Sequence, residues 1–61
     1  MFCVMEYGEN IGTVKTLFPD VERAFGFANR IMQCSGRIYR TIGKYQWFCA
    51  ETQEYIRIAE V

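Results

Sequence analysis

From Asp20 to Cys34 the apolar residues return every three to four positions, whereas on either side they fall in short runs separated by turn-forming residues. On a helical wheel Val21, Ala24, Phe25, Ala28, Ile31 and Met32 occupy an arc of roughly 120°, and Phe27 and Cys34 widen it to about a half circle. Glu22, Arg23, Gly26, Asn29, Arg30 and Gln33 fill the opposite side. The pattern predicts one amphipathic helix within Pro19–Cys34. Asp20 is placed to cap it, since its carboxylate can accept from the free amides one turn on. Ser35-Gly36 supplies a left-handed exit. Gly26 sits mid-helix, at a cost of about 1 kcal/mol relative to Ala.

The flanking runs read as strands. Phe2–Tyr7 is rich in β-formers, Gly8-Glu9-Asn10 is turn chemistry, and Gly12 is read as a bulge before a returning strand over Thr13–Phe18. After the helix, Arg37–Ile42 is a third strand and Tyr45–Glu51 a fourth. Between them Gly43-Lys44 fits a two-residue type II′ turn with Gly first. Thr52-Gln53 turns the chain into a fifth strand over Glu54–Val61. The expected fold is α+β in one domain, residues 1–61: a small antiparallel sheet packed on one helix, in the order β-β-α-β-β-β.

These loops imply faces. With Gly43-Lys44 as the turn, Ile42 opposes Tyr45, Arg40 opposes Trp47 and Ile38 opposes Cys49, with Ile56 and Ile58 on the same side opposite Cys49 and Trp47. That side is assigned to the helix, with the Arg40 guanidinium over the Trp47 ring. The other side carries Tyr39, Thr41, Phe48, Ala50, Tyr55, Ala59 and Val61, with Gln46 and Arg57 among them. One helix covers one face, and exposed contiguous apolar surface marks a contact site. Tyr39, Phe48 and Tyr55 are therefore the expected self-association surface. A one-residue slip would exchange the faces and leave both partly apolar.

Composition narrows the chemistry. At 61 residues the core is small enough that such chains usually need disulfides, metal or association. Cys3, Cys34 and Cys49 are odd in number, widely spaced and not preceded by a recognisable export signal, so reduced thiols and a cytoplasmic setting are expected. No metal site is expected: histidine is absent and no two cysteines are closely spaced. No apolar run reaches membrane-spanning length. Without histidine, and with its one aspartate placed at a cap, the chain offers no catalytic residue set, no cofactor loop and no paired carboxylates. It reads as a non-enzyme. A formal net charge of zero argues against a general polyanion binder.

The segment Arg23-Ala24-Phe25-Gly26-Phe27-Ala28-Asn29-Arg30 resembles the aromatic signature of the RNA-recognition motif, but Ala24 and Arg30 depart from it and the family's second helix is missing. The helical wheel accounts for the same residues. Arginine outnumbers lysine five to two. Arg23 and Arg30 share the helix's polar side with Gly26, which leaves room for another backbone, and Arg37 and Arg40 extend the patch. Arg23, Gly26, Arg30 and Arg37 are the expected partner-binding residues; the alternative is a solvated helix face.

The FCVMEY…TVKTLF hairpin, the helix beginning DVERA and the terminal strands QWFCAETQEYIRIAEV together resemble small accessory proteins of bacteriophages and other mobile elements. That resemblance implies an inhibitor or modulator that binds a host protein, in the host cytoplasm, as a homodimer formed through the back of the sheet or by edge pairing. The alternative is an oligomer that sequesters a small anionic ligand, such as a signalling nucleotide, at subunit junctions. Nucleic-acid binding is the weaker third option, given the zero net charge.

Overall fold

In a computed structural model describing all 61 residues, the elements run β1 (Phe2–Gly8), β2 (Gly12–Phe18), α1 (Val21–Ser35), β3 (Arg40–Gly43), β4 (Gln46–Cys49) and β5 (Glu54–Glu60). The expected α+β order β-β-α-β-β-β is the one observed. The strands form one antiparallel sheet in the order β2-β1-β5-β4-β3.

The helix does what its wheel required. Asp20 lies in an extended conformation and its Oδ1 accepts from the Arg23 amide at 2.8 Å. Gly36 ends the helix at φ 71°, a left-handed geometry that glycine adopts without a Cβ clash. Every residue assigned to the polar side is exposed, while Ala24 and Ala28 are fully buried. The chain enters α1 from β2 at one sheet edge and leaves it for β3 at the other. Fifteen helical residues extend about 22 Å. The four gaps of a five-stranded sheet measure about 19 Å. One helix thus bridges the width of the sheet.

The core lies between that helix and the sheet: Val4, Ala24, Ala28, Trp47, Ile56 and Ile58, ringed by Phe2, Phe18, Phe25, Phe27, Ile31, Met32, Tyr39 and Tyr45. Two alanines let the helix approach β1 closely, and Phe25 fills the space towards β4. Its ring stands edge-on to Trp47 at 5.3 Å and to Tyr45 at 5.8 Å. Trp47, Cys49, Ile56 and Ile58 share the helix-facing side, as expected.

The hairpin registers differ from expectation. The β3–β4 turn is Lys44-Tyr45, and Gly43 belongs to β3 without the positive φ that a type II′ turn needs. Arg40 consequently pairs with Phe48 and Thr41 with Trp47, so Arg40 lies on the opposite face from the indole it was expected to cover. Ile38 precedes the strand and is 87% exposed, and Ile42 falls within a register irregularity and is 50% exposed; neither joins the core. The β4–β5 turn is four residues, Ala50–Gln53, with Gln53 at φ 59°. Trp47 therefore pairs with Ile56 and Cys49 with Glu54, two residues from the expected match; a shift of two preserves the face.

Two glycine substitutions test this account in opposite directions. Nothing lies within 4 Å of a Cβ built on Gly26, so Gly26→Ala should raise unfolding free energy by about 0.5–1 kcal/mol. Gly36→Ala should lower it by about 1 kcal/mol, because φ 71° strains a residue with a Cβ. Urea denaturation followed by circular dichroism checks both signs, and a fall for Gly26→Ala would contradict the packing described.

Candidate functional site

The side of the sheet away from α1 has no element over it. Strand pairing arranges its side chains in three rows. The first runs Thr13, Tyr7, Tyr55, Phe48 and Arg40 across β2, β1, β5, β4 and β3. The second is Lys15, Met5, Arg57 and Gln46, and the third Leu17, Cys3 and Ala59. Tyr7 and Tyr55 stack with ring centroids 5.1 Å apart and planes within 11°, and Phe48 continues the contact to Tyr55 at 4.7 Å. Leu17 is 55% exposed and Val61 72%. They flank an open hollow of about 410 Å3 over Cys3, Met5 and Ala59.

Charge is sorted between the two faces. Lys15, Arg40 and Arg57 are the cations carried by strand residues, and all three share the uncovered face. Glu6, Glu54 and Glu60 are the strand acids, and all three share the helix-facing side. A chain of formal charge zero thus presents one sheet face whose strand positions are cationic and aromatic.

Phe48 and Tyr55 stand on the uncovered face as expected. Tyr39 does not. It precedes β3 and packs against the core cluster, because the shifted β3–β4 register puts Arg40 on the uncovered face and its neighbour Tyr39 on the other. Burial there pushes the Tyr39 phenol above its ordinary value, helped by the Glu54 carboxylate and Cys49, while the Arg37 guanidinium pulls it down. Arg37 itself donates from Nη1 to Glu54 Oε1 at 2.9 Å. The guanidinium expected to extend the helix arginine patch is thus engaged by a β5 carboxylate.

Arg23, Gly26 and Arg30 do come together. They line a shallow hollow of about 320 Å3 with Phe18 and Phe27, whose rings pack at 5.0 Å. Arg23 is partly engaged by Asp20, Nε to Oδ2 at 3.5 Å, while Arg30 makes no ion pair.

The cysteines are free, and Cys3 and Cys49 are buried. Cys34 is exposed at the end of the helix, contrary to its expected place on the apolar side. The Thr52 side chain, helped by the Thr52 and Glu51 backbone, lowers the Cys49 thiol from its ordinary value; burial opposes it. With no histidine in the chain, this thiol has no imidazole to act as its base. No three acidic or thiol side chains cluster as metal ligands would, and no helix is long and apolar enough to cross a membrane.

Residues missed by the sequence reading are Tyr7, Met5 and Lys15, whose face becomes visible only when the first hairpin is registered against the last strand. No protein-family model, curated protein or solved structure matches the chain.

The Tyr39 environment carries its own test. A raised phenol pKa supplies stability that is fully present below pH 10, the ordinary value, and is lost as pH rises through the higher folded value. In a titration followed by tyrosinate absorbance, Tyr39→Phe should remove a step lying above pH 10. Loss of only an ordinary step near the model-peptide value of about 10 would contradict the burial.

Proposed function

We propose that this chain is a non-enzymatic binding protein that docks an anionic partner on the uncovered face of its sheet. The observation that carries the reading is the sorting of strand charges, with Lys15, Arg40 and Arg57 on one side and Glu6, Glu54 and Glu60 on the other. Exposed apolar surface by itself marks a contact site without specifying the partner. Three cations and no strand acid favour a negative one. The same charges weigh against a homodimer formed back to back, which would bring six strand cations to one interface with no strand carboxylate to meet them.

A second reading rests on the hollow formed by Arg23, Gly26 and Arg30 between Phe18 and Phe27. An inhibitor or modulator of a host protein could seat an acidic or amide-bearing side chain there, with Gly26 allowing the partner's backbone to approach.

Charge reversal separates the two surfaces. Lys15, Arg57, Arg23 and Arg30 are all exposed, so reversing them leaves the core untouched. On immobilised heparin at low salt, Lys15→Glu with Arg57→Glu should abolish retention, while Arg23→Glu with Arg30→Glu should reduce it only slightly. The opposite ranking would transfer the contact surface to the helix.

A further inference from the structure

Resting on the assignment of the uncovered face as an anion-docking surface, we infer that its partner is single-stranded nucleic acid. The face provides the two components such a ligand requires, aromatic rings for bases and cations for phosphates, in adjacent rows. Tyr7 and Tyr55 are parallel and in contact, so each ring has one face occupied by the other. The outer face of Tyr7 points away from β5 and towards β2, where the opposing residue is only a threonine, Thr13. An open cleft of about 450 Å3 runs past both rings at this end of the sheet, bordered by Tyr7, Tyr55, Thr13, Gly12, Glu9 and Gln53, and it reaches the outer face of Tyr7 on its Thr13 side. A planar base entering this cleft extends the existing stack by one ring. The Gln53 amide and Glu9 carboxylate at its rim suit the donors and acceptors of a base edge.

The cationic row lies two residues along each strand from the aromatic row: Lys15 from Thr13 and Arg57 from Tyr55. That step is about 6.7 Å, a suitable reach from a stacked base to its own phosphate. Arg40, at the far end of the aromatic row beyond Phe48, prolongs the track across the sheet. A path for the strand therefore runs from the Tyr7 cleft, over the Tyr55 and Phe48 edges, to Arg40.

Other occupants fit less well. An acidic peptide would use the cations and leave the open ring of Tyr7 unfilled. A second copy of this chain would set like charges against each other. Duplex nucleic acid keeps its bases paired and stacked, out of reach of the cleft.

Fluorescence anisotropy of labelled short oligo(dT) and oligo(U), with a duplex, polyglutamate and UMP as comparison ligands, tests the inference on the intact chain. Both single strands should bind and outcompete duplex and polyglutamate at equal salt, and UMP should bind far more weakly. Three phosphate contacts predict a slope of about −2 in log K against log salt. Tyr7→Ala should weaken binding about tenfold and Tyr7→Phe should restore it, whereas Arg23→Ala with Arg30→Ala should leave it unchanged. Exposed Lys15→Glu, checked for fold by circular dichroism, should weaken binding and flatten the salt slope. Polyglutamate or UMP binding as tightly as the oligomers would overturn the nucleic-acid assignment while leaving the anion-docking face standing. Binding of neither oligomers nor polyglutamate would overturn both.

Discussion

The pairing of β1 with β5 is the contact on which the other elements depend. Every other strand pair is closed by a short turn, of two to four residues. β1 and β5 come from opposite ends of the chain and align over seven residues, from Phe2 against Glu60 to Gly8 against Glu54, with the Val61 amide continuing the ladder to the Met1 carbonyl at 3.0 Å. That pairing joins two local hairpin systems into one sheet wide enough for the helix to cross. It also costs the most loop-closure entropy, because nearly the whole chain must be ordered before it is rewarded. Its register puts Val4 beside Ile58 under the helix and, three residues on, Tyr7 beside Tyr55 on the other side. Core and candidate surface are two consequences of one alignment.

Side-chain alternation then accounts for an apparent contradiction. Equal numbers of acidic and basic residues suggest a chain indifferent to polyanions. A strand has period two, however, so charges of opposite sign placed at opposite parity end on opposite faces. Arg57 lies at odd parity between Glu54 and Glu60, and β1 and β2 repeat the arrangement through Glu6 and Lys15. Net charge is a sum over the molecule, whereas a ligand meets one side of it.

How much of this was legible in the sequence divides by range. The helix was almost wholly readable because its determinants are local: the three-to-four spacing, the Asp20 cap and the Gly36 exit all lie within a few residues of what they control. The second face was readable through Phe48, Tyr55 and Arg57, since the last hairpin's four-residue turn moved its register by two. The β3–β4 turn was not. Gly43-Lys44 matches the preferred turn composition, but the chain turns one residue later. That placement leaves Tyr45 packed on Phe25 at the edge of the core, and tertiary packing outweighs a glycine's turn preference. Tyr39 and Arg40 exchanged their expected sides for the same reason. Tyr7 and Lys15 could not have been placed from local signals, because only the long-range pairing of β1 with β5 says which neighbours they have.

The helix shelters one side of the sheet and leaves the other, with its aromatic row, in contact with water. Proton NMR of the dilute protein with a soluble paramagnetic agent measures this residue by residue. Strong broadening of the Leu17 side chain and partial broadening of the half-buried Tyr7, Tyr55 and Phe48 side chains are expected, with Val4, Ala24, Ala28 and Ile56 protected. Protection of Tyr7, Tyr55 and Phe48 to the level of Val4 would contradict this one-sided arrangement.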